Sequence, residues 1–160
     1  MKIMVVSDTH GQIQETVNQY RKLKNIDMII HLGDYFKDAQ RIKDMVDSRM
    51  ICVKGNTDGE FSERSRKVIE MKGHKILLTH GHMDKVKSDL LHLYYKTVSL
   101  SCDIVLFGHT HIPVNIRDKG ILFLNPGSPT IPKGGSYPSF ALLYLHSHTV
   151  TSEIVSLRRS

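Results

Sequence analysis

The sequence predicts an α/β fold in which two mixed β-sheets pack face to face as a sandwich flanked by helices. In the first half, short apolar runs alternate with segments of helical spacing, a pattern that favours parallel strands joined by right-handed crossovers. In the second half, strands dominate and are expected to pair mostly as antiparallel hairpins. Polar side chains follow five of the apolar runs directly, and these side chains are the candidates for function.

The first half is predicted to fold as β-α-β-α-β. The apolar runs at residues 2–6, 28–32 and 50–53 are typical of short buried strands. Between them, apolar side chains recur every three or four positions, which predicts two amphipathic helices. These helical stripes consist of Ile13, Val17, Tyr20 and Leu23, and then of Ala39, Ile42, Met45 and Val46.

The second half is predicted to contain one helix among seven strands. The short links at residues 72–74, 118–120 and 146–148 predict hairpins. The helical stripe consists of Val86, Leu90, Leu93, Tyr94 and Val98. The predicted strands are residues 67–71, 75–79, 103–107, 113–117, 121–124, 140–145 and 150–157.

Length and composition indicate a globular protein. The 160 residues suit one domain spanning 1–160, and 40% apolar with 24% charged residues argues against disorder. No run approaches the about 18–20 apolar residues of a spanning helix, and the start of the chain lacks a signal peptide, so we expect a cytoplasmic protein with no membrane partner. Cys52 and Cys102 are expected to be reduced thiols.

The chain carries a net charge of +6 and ten histidines. The charge is compatible with an anionic ligand, although a solvated basic surface is the commoner cause of such a net charge. Neutral imidazole is a common metal ligand, so the histidines are the more informative feature. Basic clusters such as residues 64–67 raise the alternative of a nuclease or RNA-binding protein, but no basic motif interleaved with aromatics supports stable nucleic-acid binding.

Residues of metal-binding type follow five predicted strands. Ligands of α/β folds bind outside the carboxyl ends of the strands, so we expect these residues to converge. Singly, Asp8 and His10 also fit an ordinary turn, Asp34 also fits a helix N-cap, and residues 55–58 also fit a turn. The two histidine pairs at the later strand ends have no packing rationale. The candidates are Asp8, His10, Asp34, Asn56, Asp58, His80, His82, His109 and His111.

The types of candidate ligand indicate which metals the site would take. Mixed imidazole, carboxylate and amide ligands suit Mn²⁺, Fe²⁺, Ni²⁺ or Zn²⁺, and no cysteine is present to build a thiolate zinc site. Seven of the nine candidates, all except Asp58 and His82, are the candidate metal ligands. They are too many for one ion but suit two ions that share a bridging carboxylate. A pair of metals about 3.5–4 Å apart points to hydrolysis of phosphate esters.

With these motifs the sequence resembles the calcineurin-like metallophosphoesterase superfamily, most closely its minimal bacterial and archaeal phosphodiesterase branch. The resemblance extends over essentially the whole chain and implies a two-sheet sandwich flanked by helices. The motifs are D-x-H at Asp8 and His10, G-D at Gly33 and Asp34, G-N at Gly55 and Asn56, the pair His80 and Gly81, and G-H-x-H at 108–111.

The resemblance also implies a role for each ligand. Two divalent ions are expected, with Mn²⁺ placed first and Ni²⁺, Fe²⁺ or Zn²⁺ as alternatives, and a hydroxide that bridges them would attack phosphorus in line. The first ion would be held by Asp8, His10, Asp34 and His111, and the second by Asp34, Asn56, His80 and His109.

The chain departs from the family pattern at Thr57. Many members carry a histidine there, which is a candidate acid for the leaving group, and a threonine hydroxyl cannot protonate an alkoxide at neutral pH. We expect His82 to serve as the acid or as a donor to a phosphate oxygen, with Asp58 as the second candidate. A role for His82 in orienting its loop is the alternative.

These features predict a metal-dependent phosphodiesterase that acts on a small phosphodiester or nucleotide. The alternative is a catalytically weak protein-interaction scaffold on the same fold, similar to a eukaryotic membrane-trafficking subunit. All seven ligand positions carry ligand residues, which favours the enzyme. The resemblance also implies a homodimer or homotetramer.

Overall fold

The computed structural model describes residues 1–59 and 64–157, which contain ten strands and three α-helices. The helices are α1 (Gln14–Lys22), α2 (Phe36–Val46) and α3 (Leu91–Ser99). The strands are β1 (Lys2–Val6), β2 (Met28–His31), β3 (Met50–Cys52), β4 (Arg66–Met71), β5 (His74–Thr79), β6 (Ile104–Leu106), β7 (Val114–Asp118), β8 (Ile121–Asn125), β9 (Ser139–Leu145) and β10 (Val150–Ser156).

The first sheet has the strand order β10-β9-β1-β2-β3. Strands β1, β2 and β3 run parallel, with α1 and α2 as the crossovers, which confirms the predicted β-α-β-α-β unit. The β9–β10 hairpin pairs antiparallel with β1. The last two strands of the chain therefore complete the sheet that the first strand begins.

The second sheet has the order β4-β5-β6-β8-β7, and its centre differs from the sequence-based expectation. The hairpins β4–β5 and β7–β8 are antiparallel as predicted, but β5–β6 and β6–β8 are parallel pairs. Helix α3 carries the chain from β5 back to the start of β6, which makes a crossover connection. The β7–β8 hairpin then places β8, and not β7, against β6.

Three apolar layers hold the sandwich together. One lies between the two sheets and includes Val5, Ile30 and Leu106, which have no exposed surface. A second packs α1 and α2 on the first sheet, and a third packs α3 on the second sheet. The predicted sandwich flanked by helices is therefore confirmed.

The last helix begins later than the apolar stripe predicts. Val86 and Leu90 pack in the layer under α3, but the helix starts at Leu91, whose backbone N–H donates to the Asp89 carboxylate at 2.8 Å.

Cys52 and Cys102 are buried free thiols, as expected. Helix α2, with 11 residues, is the longest helix in the described residues, and none there could span a bilayer.

Candidate metal centre

The carboxyl ends of five strands meet at one edge of the sandwich. Strands β1, β2 and β3 are parallel neighbours in the first sheet, and β5 and β6 are parallel neighbours in the second. The loops that follow them carry the five predicted motifs. Contacts between side chains of these loops link the two sheets at this edge.

The first ligand group consists of Asp8, His10, Asp34 and His111, each of which offers one atom within 4.8 Å of the others. His111 Nε2 lies 3.1 Å from Asp8 Oδ1. His10 Nε2 lies 3.8 Å from Asp34 Oδ2 and 4.0 Å from Asp8 Oδ1. Both carboxylates are buried, and the group has the size of a single ion site.

The second ligand group consists of Asp34, His80 and His109, within the same 4.8 Å limit. His80 Nε2 lies 3.2 Å from His109 Nδ1 and 3.4 Å from Asp34 Oδ1. Asp34 belongs to both groups, which is the place that the sequence assigned to a bridging carboxylate.

Backbone carbonyls orient two of the histidine rings. The Leu32 carbonyl accepts a hydrogen bond from His80 Nδ1, and the Ile131 carbonyl accepts one from His111 Nδ1, both at 2.8 Å. A carbonyl can only accept, so each ring holds its proton on Nδ1 and directs the lone pair of Nε2 at the carboxylates. Metal-binding histidines are commonly fixed in this way.

The ligand groups lack a positive partner. Among the residues that the structure describes, the buried Asp8 Oδ1 and His10 Nε2 have no hydrogen-bond partner. Lone pairs of His80 and His111 also face carboxylate oxygens. Acceptors that converge without a donor are typical of a cation site, and the mixture of imidazole and carboxylate suits a borderline divalent ion. These residues therefore fit the metals that the sequence predicts.

The pKa values of the site residues reflect this crowding. Burial opposes ionisation of Asp8, but its contacts with His111 and His80 and a hydrogen bond from Ser7 hold its pKa below the usual value. The Asp8 contact raises the pKa of His111. Burial, followed by the neighbouring His80, lowers the pKa of His109 to about 4, so this ring is neutral near pH 7.

Five proposed ligands have a left-handed backbone that non-glycine residues seldom adopt. Their φ angles are 57° for Asp8, 44° for His10, 54° for Asp34, 69° for His109 and 61° for His111. Such residues cost of order 1–3 kcal/mol each and cluster at functional sites. This conformation changes the direction of each loop where its strand ends, and no pattern in the sequence predicts it.

Asn56 is exposed, and its two neighbours in the loop contact Asp34 of the second ligand group. Its neighbour Thr57 donates its backbone N–H to Asp34 Oδ1 at 3.2 Å. Its other neighbour, Gly55, packs so closely that an added Cβ would lie 2.1 Å from the same oxygen. The loop thus holds Asn56 next to the carboxylate that the two groups share.

Asp58 stabilises this loop through backbone hydrogen bonds. Its Oδ2 accepts the Gly55 N–H at 2.7 Å, and its Oδ1 accepts the Phe36 N–H at 2.5 Å. Each oxygen therefore accepts one backbone hydrogen bond, and the side chain ties the loop to the start of α2. The acid role predicted for Asp58 as second candidate stays a prediction.

His82 begins a short 3₁₀ helix, His82–Asp84, behind the second ligand group. Its ring centroid lies 5.5 Å from that of His80 and 6.1 Å from that of His109. Burial, and then His80, lowers its pKa. Within the described residues its buried Nδ1 has no hydrogen-bond partner.

Two further side chains that support the site were given no role from the sequence. The Ser128 hydroxyl donates to the Asp8 carbonyl at 2.8 Å. Asn125 Nδ2 donates to the Gly108 carbonyl at 3.0 Å. Asn125 ends β8, so the rule of polar residues at strand ends, applied once more, would have found it.

A buried hydrogen-bonded chain supports the first ligand group from behind. The Gly33 N–H donates to His31 Nδ1, so the His31 proton lies on Nε2 and is donated to Thr9 Oγ1 at 3.1 Å. The Thr9 hydroxyl donates to Asp38 Oδ2 at 2.8 Å, and the same oxygen accepts the Gly11 N–H. The chain connects the loops that carry His10 and Asp34, and sequence spacing does not show it.

Comparison with known proteins agrees with the site. The calcineurin-like phosphoesterase superfamily domain matches residues 1–148. The chain belongs to this superfamily, whose members are phosphoric ester hydrolases that use divalent metals.

Three similar proteins illustrate the range of the family. The probable metallophosphoesterase YsnB of Bacillus subtilis is 31% identical over 152 residues, which cover 94% of this chain and 88% of YsnB. Phosphodiesterase YfcE of Escherichia coli is 29% identical over 168 residues, 89% of this chain and 87% of YfcE. The crystal structure of Vps29 complexed with Zn²⁺ from Entamoeba histolytica has a TM-score of 0.79 at 26% identity, over 99% of this chain and 100% of Vps29.

Proposed function

We propose that this chain is a metal-dependent phosphodiesterase that hydrolyses a small phosphodiester or nucleotide at a two-metal site. The observation that carries the proposal is the pair of ligand groups that share Asp34, in which the buried Asp8 Oδ1 and His10 Nε2 have no hydrogen-bond partner among the described residues. The similarity to the phosphodiesterase YfcE supports the choice of a diester.

Seven side chains would hold the two ions, of which Mn²⁺ is the first candidate. When bound, the ions supply charge for the phosphoryl oxygens and lower the pKa of water towards neutrality. Only two of the seven ligands are carboxylates, so the loaded site keeps a positive charge that attracts a phosphate anion. The ligands are Asp8, His10, Asp34 and His111 for one ion, and Asp34, Asn56, His80 and His109 for the other.

His82 is the proposed donor to the leaving group or to a phosphate oxygen. It lies beside His80 and His109, and its Nδ1 has no partner in the described part of the chain. We expect His82→Ala to slow the release of alkyl leaving groups about 10²-fold, within the range for general acid catalysis, and activated aryl groups much less. Equal slowing of both classes would leave His82 with the orienting role alone.

The central experiment is hydrolysis of bis-p-nitrophenyl phosphate by chelator-stripped protein with and without Mn²⁺. We expect Mn²⁺ to restore turnover to the native chain and not to the Asn56→Ala/His80→Ala variant. His92→Ala is the matched control, because His92 is exposed on α3 away from the ligand groups. Turnover in the stripped protein, or full turnover in the double variant, would contradict the proposal.

A protein-interaction scaffold with little catalysis is the second candidate, favoured by the similarity to Vps29. Absence of turnover with each of Mn²⁺, Ni²⁺, Fe²⁺ and Zn²⁺ in correctly folded protein would support it over the enzyme. The homodimer or homotetramer and the cytoplasmic location stay predictions. Light scattering after size-exclusion chromatography tests the first of these.

A further inference from the structure

Exposed apolar side chains lie beside the first ligand group on three separate loops. Tyr35 directly follows Asp34, and Ile112 directly follows His111. The carbonyl of Ile131 accepts the hydrogen bond from His111 Nδ1. These three residues are 44%, 41% and 38% exposed.

Ring contacts link Tyr35 to the first ligand group. The Tyr35 ring centroid lies 5.2 Å from that of His10, and the His10 centroid lies 5.1 Å from that of His111. His111 in turn contacts the backbone carbonyl of Ile131. A phosphate placed at the ligand groups would therefore have the aromatic ring of Tyr35 close beside it, with the exposed Ile112 and Ile131 next to His111 in sequence and in hydrogen bonding, respectively.

The backbone holds Tyr35 in this place at a conformational cost. Its φ is 73°, which is an outlier for a bulky residue, and Asp34 before it is also left-handed. The next N–H, of Phe36, is fixed by the Asp58 carboxylate. Such strain persists where the surroundings impose it, and it is typical of ligand-binding positions. Because the ring stays nearly half exposed, burial does not explain why an aromatic residue occupies the turn.

We propose that Tyr35, with Ile112 and Ile131, forms a subsite for a flat aromatic ring on one ester group of the substrate. The proposal rests on the proposed phosphodiesterase function and narrows the substrate class to phosphate esters of nucleosides or of aryl alcohols. Stacking of a base on an aromatic side chain tolerates every base, so the subsite selects for the ring and not for its identity.

Direct binding tests the subsite without relying on turnover. Isothermal titration calorimetry would measure ethyl phosphate, phenyl phosphate and thymidine 5′-monophosphate on Mn²⁺-loaded protein. We expect the two aromatic esters to bind about tenfold more tightly than ethyl phosphate, within the range for one stacked base. Tyr35→Ala should remove this advantage and Tyr35→Phe should keep it. Tyr95→Ala, which removes an exposed tyrosine from α3, should have no effect.

Each outcome supports or overturns the subsite. Tighter binding of the nucleotide than of phenyl phosphate assigns it to nucleosides, and equal binding assigns it to aromatic esters in general. Equal binding of all three esters, no binding, or an aromatic advantage that survives Tyr35→Ala overturns it. Tyr35-dependent binding without hydrolysis of bis-p-nitrophenyl phosphate would refute the proposed function and keep the subsite, and the reverse result would refute the subsite alone.

Discussion

Two glycines at the strand ends leave no space for a side chain beside the site carboxylates. A Cβ on Gly55 would lie 2.1 Å from Asp34 Oδ1, and one on Gly108 would lie 2.0 Å from Ser7 Oγ and 2.9 Å from Asp8 Oδ2. The need for glycine at these two positions is steric, because neither residue has a positive φ. The backbone at these glycines packs directly against the two carboxylates that the metals need.

Gly55→Ala should displace Asp34 and weaken metal binding. We expect Mn²⁺ affinity to fall at least tenfold and the free energy of unfolding to fall by about 1–3 kcal/mol, as for overpacking of a dense site. Metal titration and urea unfolding measure the two effects. Gly120→Ala is the control, because nothing lies within 4 Å of its Cβ and only its φ of 82° is strained. Normal Mn²⁺ affinity in Gly55→Ala would contradict the steric role.

His31 should contribute a pH-dependent part of the stability. Burial is the main cause that lowers its folded-state pKa to about 4, against the opposing charges of Asp8, Asp38 and Asp58. The pKa is lower in the folded state than in the unfolded state. The contribution of His31 to the free energy of unfolding is therefore complete above about pH 6.5 and is lost as the pH falls towards 4. The total loss from this group is about 3 kcal/mol.

The measurement is chemical unfolding of metal-free protein between pH 7.5 and pH 4.5, with His31→Gln as the control. The variant keeps a donor and an acceptor but cannot titrate, so its stability should fall less over this range. Parallel curves for both proteins would show that His31 does not control the loss. NMR of the native chain should show the His31 proton on Nε2, because Nδ1 accepts the Gly33 N–H.

At the scale of residues, the sequence predicted which side chains converge but not how they are held. Asp8 and His109 were identifiable because each follows a recognisable apolar run. Their left-handed backbones and the hydrogen bond from the His109 N–H to Asp8 Oδ2 depend on loops 101 positions apart. Contacts of this range leave no periodic signal in the chain.

Helix α2 begins after one left-handed residue and ends at another. Tyr35 precedes it with a φ of 73°, and Asp47 follows it with a φ of 46°. The position after the last helical residue favours glycine, which adopts this conformation without strain. Asp47 is exposed and lies outside the ligand groups, so its strain serves no contact at the site.

Asp47→Gly should therefore stabilise the protein by up to about 1 kcal/mol. Asp44→Gly, the same change in the exposed helix interior, should destabilise it by a few tenths of a kcal/mol because glycine is the poorer helix former. Urea unfolding should show that the free energy of unfolding rises in Asp47→Gly and falls in Asp44→Gly. A loss of stability in Asp47→Gly would show that the aspartate side chain supports the helix end.

At the scale of elements, periodicity predicted what a segment becomes but not which strand it pairs with. The unit from β1 to β3 was correct because its helical and strand patterns are local. The parallel centre of the second sheet depends on the choice of β8 over β7 as the neighbour of β6. Strand β8 is buried along its whole length, whereas β7 mixes apolar and polar residues and is mostly exposed. A continuous apolar run favours the inner position beside β6, and the hairpin prediction alone did not use this difference.

Metal binding should stabilise the whole molecule, because the ligands come from both sheets. A ligand at 100 times its Kd adds about 2.7 kcal/mol to a folded state that alone binds it, which corresponds to a rise in Tm of about 5–10 °C here. Differential scanning fluorimetry with Mn²⁺ and with chelator measures the shift. His80→Ala should lose most of it and His92→Ala should keep it. An equal shift in all three proteins would indicate binding outside the two groups.

The apolar layer between the sheets also determines the dimensions of the proposed reaction centre. Asp8 and Asp34 follow strands of one sheet, whereas His80 and His109 follow strands of the other, so their separation depends on side chains such as Ile30 and Leu106 deep in the sandwich. A misplacement of about 1 Å can cost about 10²-fold in rate, far more than a conservative core change costs in stability. Substitutions in this buried layer would therefore change the catalytic rate before they prevented folding. Relatives with identical ligands would then differ in rate and metal preference because of residues that do not contact the substrate.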